Sequence, residues 1–253
     1  MQQAGARGPE ERAREIEQLT VARGQVRIDE LAQLLEVSEM TIRRDLDELQ
    51  GLGVLRRVRG GAVAVGPEPF AERHRTDARA KGLIAEKLAH LVPDRGTVAF
   101  DASTTVHRFA ADLRGASDLV VLTNGIDTFQ VLRDKPGISP TLTGGHLEPR
   151  TGSLVGPVAS RSASDFLFDV LVCSAAAVDP LLGASEASVD EAEVKRSLQG
   201  TSARVVLAVS HAKLGGRAPA RVFAPHEVDL MVTDLDPGDE RLAPYRDAGM
   251  EIL

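Results

Sequence analysis

Apolar residues recur along the chain with two rhythms. Between residues 10 and 60 they fall at helical spacing in three short segments. Ile16 and Leu19 share one face of a helix that Gly24 ends, and Leu31, Leu34 and Leu35, at i, i+3 and i+4, give a second with Asp29 and Glu30 in its favourable first turn. Ile42, Leu46 and Leu49 mark a third helix, with Ser38 as its N-cap and Gly51 or Gly53 as its terminator. Beyond residue 80 the rhythm changes. β-rich runs at Thr97–Ala102, Leu119–Thr123, Pro140–Thr143, Phe166–Ser174, Val205–Val209 and Leu230–Thr233 are interleaved with helical patterns at Gly82–Val92, Val106–Leu113, Val155–Ser164 and Asp190–Gln199. Such alternation predicts the α/β class, with a largely parallel sheet and helices on its faces. The stretch between, around GPEPF, has no clear period. The expected organisation is therefore a helical domain over 10–62, a linker over 63–79 and a larger α/β domain over 80–253, with no internal repeat.

Three helices with a tight turn before the third make a helix-turn-helix arrangement. On a wheel of 100° per residue, Arg44 in SEMTIRRDLDEL falls nearly opposite the apolar face of the third helix and Arg43 falls on its flank. Taken alone, the pair reads equally well as solvated surface charge. The next segment, LGVLRRVRGGAV, tips the balance: two β-prone runs joined by Arg59, Gly60 and Gly61 form a hairpin that carries Arg56 and Arg57 on its first strand. A helix with two arginines followed by a hairpin with three predicts a winged helix that binds double-stranded DNA. Ser38, Thr41, Arg43 and Arg44 stand at the reading helix, and Arg56, Arg57, Arg59, Gly60 and Gly61 in the wing.

Composition narrows the function classes. The chain of 253 residues carries a formal charge of −7, which excludes a protein that coats nucleic acid over its whole surface. Residues 1–60 hold ten arginines and no lysine against eleven acidic residues, so this part is near neutral and its positive charge is concentrated by position. Aromatic residues are 3% with no tryptophan, which disfavours stacking on single-stranded bases. One cysteine, Cys173, rules out an intramolecular disulfide and a cysteine-rich zinc site, and suits a reducing cytoplasm. The six histidines show no metal-ligand spacing, so neither a metal nor a cofactor is expected; His107 and His146 read as surface or pocket-rim residues. The longest apolar run, from Phe166 to Val178, is too short to span a bilayer and reads as a buried strand.

In parallel sheets ligands bind beyond the carboxyl ends of the strands, and polar sequence collects there. FDASTT places Asp101, Ser103, Thr104 and Thr105 ahead of a helix; LTNG places Thr123 and Asn124 at the next strand end; LTGGHLEPR places Gly144 and Gly145 where backbone must approach something closely. Each is more often a plain turn, but three at successive strand ends favour a small-molecule phosphate pocket. EASVDEAEVKRSL adds Lys195 with Glu191 or Glu193, and SHAKLGG adds Lys213. Glu191 and Lys195 are i, i+4, a spacing that for Glu191 favours a surface helix salt bridge over any catalytic role.

The segment VRIDELAQLLEVSEMTIRRDLDELQGLGVLRRVRGGAV resembles the N-terminal domain of the DeoR family of bacterial transcriptional repressors, with S-x-x-T-I-R-R-D-L running into the wing; Arg59 replaces the family's usual histidine. DASTT, TNG, TGG, EAEVKR and AKLG resemble the DeoR sensor domain, which is similar in fold to ribose-5-phosphate isomerase. Ser103 stands where members often have glycine, and Ser210 and Ala212 flank His211 where members have Asp and Ser. The resemblance implies a cytoplasmic, homo-oligomeric repressor of a carbohydrate-related operon. Its effector, a phosphorylated sugar or related metabolite, would be lined by Asp101, Ser103, Thr104, Thr105, Thr123, Asn124, Gly144, Gly145 and Lys195, with Lys81 and Lys213 as further phosphate contacts. The competing reading is a sugar-phosphate isomerase-like enzyme carrying a DNA-binding domain, in which Lys195 and a carboxylate such as Asp179 or Glu193 would move protons. Fold analogy alone does not confer that chemistry.

Overall fold

A computed structural model describes residues 8–52, 55–64 and 69–253. The chain divides into two compact units, residues 1–69 and 70–253.

In the first unit, α1 (Pro9–Arg23) opens with proline in its first turn beside Glu10 and Glu11, and Gly24 ends it at a φ of 73°. A strand the periodicity does not reveal, β1 (Gln25–Arg27), leads into α2 (Ile28–Leu34). Ile28, Leu31 and Leu35 are buried there, whereas Leu34, expected on the same face, is exposed, because the core lies on the side that Ile28 and Leu31 define. α3 (Glu39–Gly51) starts where the Ser38 hydroxyl accepts a hydrogen bond from the Thr41 N–H at 3.1 Å, and it buries Ile42, Leu46 and Leu49. Gly53 lies outside the described residues.

β2 (Leu55–Val58) and β3 (Gly61–Ala64) form the expected hairpin, turning through Arg59 and Gly60, whose φ of 86° favours glycine. β1 adds to the free edge of β3, giving the antiparallel order β1-β3-β2. That pairing explains Gly61, since a methyl there would stand 1.9 Å from the Val26 carbonyl oxygen. Beneath the helices a bidentate ion pair joins Arg12 of α1 to Asp45 of α3, at 2.6 and 3.0 Å, with both side chains buried.

The second unit begins inside the stretch read as linker. Val63 and Ala64 end β3, residues 65–68 lie outside the described residues, and α4 (Phe70–Arg75) and the start of α5 (Ala78–Leu88) fall within the larger unit. The chain then runs through β4 (Arg95–Phe100), α6 (Thr104–Asp112), β5 (Asp118–Thr123), α7 (Ile126–Leu132), β6 (Ile138–Leu142), a hairpin of β7 (His146–Glu148) and β8 (Ser153–Val155), and α8 (Pro157–Ser164). After it come β9 (Val170–Cys173), β10 (Ala177–Asp179), β11 (Gly183–Glu186), α9 (Val189–Gln199), β12 (Val205–Ala208), β13 (Ala220–Phe223), β14 (Leu230–Val232) and α10 (Ala243–Asp247). All six expected strands pair in one parallel sheet of order β14-β12-β9-β4-β5-β6.

Both faces of that sheet are covered, which is why its strands read as continuous apolar runs. Val98, Phe100, Val170, Val172 and Val206 face one apolar layer with Ile84, Leu88 and Phe109, while Ala99, Leu171, Cys173 and Leu207 face the other with Ala192, Val194 and Leu198. Cys173 is fully buried, and burial pushes its thiol well above its ordinary pKa. A smaller antiparallel sheet, β10-β11-β13, accompanies the large one. The topological feature that matters for function is the reversal of strand order: β4, β5 and β6 progress one way, and β9, β12 and β14 the other. The switch point lies between β4 and β9, where binding crevices form in such folds.

Candidate functional site

In the first unit, α3 and the hairpin expose a basic surface. Arg44 is exposed and has no ion-pair partner among the described residues; Arg43 is exposed and pairs with Glu39 at 3.1 Å. Arg56, Arg59 and Gly60 are exposed on the hairpin, and Ser38 and Thr41 share a 2.9 Å hydroxyl contact at the start of α3. Two members of the expected set do something else. The Arg57 guanidinium pairs with Asp47 and donates to the Arg43 carbonyl at 3.4 Å, while its backbone N–H donates to Gln50 Oε1 at 2.8 Å. Arg57 thus ties the wing to α3 rather than projecting freely. Gly61 is buried against β1, so its lack of a side chain serves strand pairing.

In the second unit the switch point holds a charged cluster. Asp101 follows β4, and Ser174 follows β9. Lys195, from α9, reaches between them: its ammonium donates to Asp101 Oδ2 at 2.5 Å and to the Ser174 carbonyl at 2.7 Å, and pairs with Glu186 of β11 at 2.7 Å. Asp101 also accepts from the N–H groups of Ser103 at 3.0 Å and Ser174 at 2.9 Å. Burial alone would raise the Asp101 pKa, but Lys195 and these hydrogen bonds outweigh it and leave the carboxyl below its ordinary value. Burial likewise opposes the charge on Lys195, yet Asp101 and Glu186 hold it protonated well above the usual lysine range. Lys213, on the short helical turn His211–Lys213, donates to Ser174 Oγ at 3.0 Å and the Ala175 carbonyl at 2.6 Å. No carboxylate among the described residues caps its ammonium, and burial pushes its pKa down to about 8.

Other expected residues divide into two groups. Ser103 caps α6 by accepting from the Val106 N–H at 3.2 Å, Thr104 donates to the Arg73 carbonyl at 3.4 Å, and Thr123 accepts from the Gly125 N–H at 3.0 Å. By contrast, Thr105 Oγ1 and Asn124 Oδ1 are buried with no hydrogen-bond partner among the described residues, although the Asn124 amide donates to the Leu154 carbonyl at 3.2 Å. Gly144 and Gly145 have φ of 70° and 113°; what Gly145 approaches is its own chain, since a methyl there would lie 2.6 Å from the Val155 carbonyl oxygen. Lys81 donates to the carbonyls of Arg73 and Thr76, the latter at 2.6 Å, and so clamps the end of α4.

The carboxylate partners proposed for Lys195 are replaced. Glu193 is exposed and pairs with Arg196 at 3.0 Å, and Asp179 pairs with Arg217 at 2.7 Å while accepting from the N–H groups of Leu181 and Leu182. Glu191 is not a surface residue: it is buried and accepts from Ser153 Oγ at 2.8 Å, with Thr151 Oγ1 a further 2.7 Å along. Burial, reinforced by the charge of Glu186, raises its pKa. The residues missed from sequence are Glu186, Ser174 and Arg73. Nothing in GASEA marks Glu186 as a lysine partner, and FAERHR has no period that would single out Arg73. His107 is half-buried against Phe70 and His74, with ring centroids 5.2 Å away in each case, and burial, then the His74 charge, lowers its pKa. Among the described residues no cluster of His, Cys, Asp or Glu could hold a metal, and no helix is long and apolar enough to cross a membrane.

Comparison with known proteins gives two domain matches: the DeoR-like helix-turn-helix domain over residues 12–68 and the DeoR C terminal sensor domain over residues 76–235. The HTH-type transcriptional regulator GolR of Listeria innocua is 31% identical, covering 96% of this chain and 98% of the relative. The HTH-type transcriptional repressor CsqR of Escherichia coli is 30% identical over 93% and 91%, and the glycerol-3-phosphate regulon repressor of the same species 31% identical over 88% and 89%. Among solved structures, ribose 5-phosphate isomerase A from Methanocaldococcus jannaschii aligns with a TM-score of 0.40 at 11% identity over 55% of each chain, a likeness too loose to carry a functional reading.

Proposed function

The chain belongs to the DeoR family and is a DNA-binding transcriptional regulator, and from that premise we propose that it represses a carbohydrate-related operon under control of a phosphorylated sugar or related metabolite. The observation that carries the effector reading is the charged cluster at the β4/β9 switch point, in which Lys213 has no carboxylate partner among the described residues. Lys195 is neutralised by Asp101 and Glu186, but Lys213 has only neutral acceptors, and Thr105 and Asn124 hold buried oxygens with no partner among the described residues. An ammonium held only by neutral acceptors, beside vacant hydrogen-bonding capacity, fits an anionic, polyhydroxylated ligand. The relatives named as repressors of the glycerol-3-phosphate regulon and of a lactose phosphotransferase system accord with that class. Asp101, Ser103, Thr104, Thr105, Thr123, Asn124, Gly144, Gly145, Lys195 and Lys213 remain its proposed surroundings, with Asp101, Ser103 and Gly145 acting through the backbone they fix.

The same reading treats the protein as a cytoplasmic regulator rather than an enzyme, since Lys195, held protonated by two carboxylates, is a poor proton acceptor at neutral pH. It functions as a homo-oligomer, because one reading helix touches too few base pairs to be selective. The decisive experiment is thermal unfolding of the full chain against phosphorylated and free sugars, followed by operator release with any compound that raises the midpoint. No rise with any phosphorylated compound would remove the effector reading and leave the DNA-binding function intact.

Two further results are expected. Ser38, Thr41, Arg43, Arg44, Arg56, Arg59 and Gly60 form the proposed DNA face, with Arg57 and Gly61 holding the wing in place. Arg44→Ala should weaken operator binding by about 1–3 kcal/mol and relax preference at one base position; an unchanged footprint and affinity would exclude Arg44 from reading. Lys213 titrates near 8, so its charge is present below that pH and is lost above it. Affinity for a phosphate ester, already dianionic by then, should fall by up to about tenfold per pH unit above pH 8, the limit for one linked proton. Lys213→Arg should flatten that dependence, and an identical profile in the variant would assign the titration elsewhere.

A further inference from the structure

A helix of six residues is too short to be stable by its own hydrogen bonds, so α4 persists because of what it touches. At its start the Phe70 N–H donates to the Arg150 carbonyl at 2.7 Å, and the Phe70 ring packs edge-on to His107 of α6. Toward its end the Arg73 carbonyl accepts from both Lys81 and Thr104. Thr104 is the first residue of α6, directly after the Asp101–Ser103 turn of the switch point.

The Arg73 side chain is far less settled than its backbone. Its Nη2 lies 3.5 Å from the Thr151 carbonyl, at the outer limit of a hydrogen bond, and its Nε is buried with no partner among the described residues. A buried donor left unsatisfied costs free energy that an incoming acceptor relieves. Its location is equally telling. Thr151 begins the hydroxyl chain through Ser153 to Glu191, and the Arg73 charge is near enough to Lys213 to help lower that lysine's pKa. Two cations that repel each other across one site are brought to terms by an anion between them, and a guanidinium can fork onto a phosphate with two parallel hydrogen bonds.

We propose that Arg73 is a ligand of the effector's anionic group, and that through it effector occupancy tightens α4, the first described element beyond the DNA-binding unit. This rests on the switch point being the effector site. It goes beyond that reading by naming the residue that senses occupancy and the element that changes. Any influence of the sensor on the DNA-binding unit that travels along the chain must pass through residues 65–68, and α4 is what holds the sensor side of that segment. The differential contact needed for coupling is the Arg73 side chain, loosely held without the anion and doubly bonded with it.

Amide hydrogen exchange of the full chain, with inorganic phosphate, glycerol 3-phosphate and ribose 5-phosphate as probes, tests this. In the wild type, saturation with a probe that raises the thermal midpoint should slow exchange of the α4 amides. Arg73→Gln should weaken that probe by about ten- to a hundredfold, the equivalent of a charged hydrogen bond, and abolish the slowing even at saturation. Arg73→Lys, which keeps charge and most of the packing, should retain part of both. Lys213→Gln should weaken binding but keep the slowing at saturation, since the Arg73 contact survives. Tight binding by Arg73→Gln with α4 still protected would overturn the role of Arg73 while leaving the effector site standing. Absence of a response to every probe in the wild type would instead overturn the effector site, and this inference with it.

Discussion

Lys195→Met should destabilise the sensor unit by about 3–5 kcal/mol, the cost of leaving buried charge without its partner. The lysine is 6% exposed and sits between Asp101, which is fully buried, and Glu186. Methionine fills much of the space, so packing loss is small and the penalty falls on the two carboxylates. For a domain of this size each kcal/mol moves the midpoint by roughly 2–4 °C, a shift calorimetry of the full chain resolves easily. The pH dependence fixes the cause. In the wild type Asp101 titrates below its ordinary value, so its contribution is complete above about pH 4 and is lost only as pH falls through the depressed folded pKa. Without Lys195, burial is the dominant influence and pushes that pKa up; the penalty is then present at neutral pH and is relieved as pH falls and the carboxyl protonates. Wild type and variant should converge on acidification. Adding Asp101→Asn to Lys195→Met should recover part of the loss at pH 7. A deficit of the same size at every pH would mean lost packing, not lost pairing.

This cluster also marks where sequence reading reaches its limit. The six strands of the main sheet were legible because burial on both faces makes them uninterrupted apolar runs such as VLVC at Val170–Cys173. Helix α3 was legible from its cap and its apolar stripe, and the wing from its glycine pair. By contrast, β1, β7 and β10 have only three residues each, too few to show a period. The sequence marks Lys195 but offers only Glu191, Glu193 and Asp179 as partners, because local spacing cannot show that Asp101, 94 residues away, and Glu186 converge on it. The i, i+4 spacing that suggests a surface pair for Glu191 is equally blind to the hydroxyl chain of the β7–β8 hairpin on which it lies. Arg73 was hidden in a stretch that has no period, since α4 is held by tertiary bonds and not by an amphipathic face.

Asp45→Ala should remove most of the stability of the DNA-binding unit. Its carboxylate forms the bidentate pair with Arg12, and the two side chains are 8% and 9% exposed. Truncation leaves a guanidinium buried with no counter-ion, at a cost of about 3–5 kcal/mol. A unit of this length has only about 3–9 kcal/mol to lose, and each kcal/mol lowers the midpoint by about 4–8 °C. The unit's unfolding transition in the full chain should therefore drop by tens of degrees or merge with the baseline, with the sensor transition unmoved. Operator binding should fail with it, but differently from Arg44→Ala: lowering the temperature or adding operator in excess should restore binding to Asp45→Ala with its sequence preference intact, because the reading face is unaltered once folded. Replacing both partners, as Arg12→Met with Asp45→Leu, should regain most of the stability, since an apolar pair of similar volume often substitutes for a buried ion pair. Adjacent letters of the same motif thus have separable duties: Arg44 is exposed on the proposed DNA face, and Asp45, one position on, pins α3 to α1. Wild-type stability in Asp45→Ala would refute that division and return the pair to surface electrostatics.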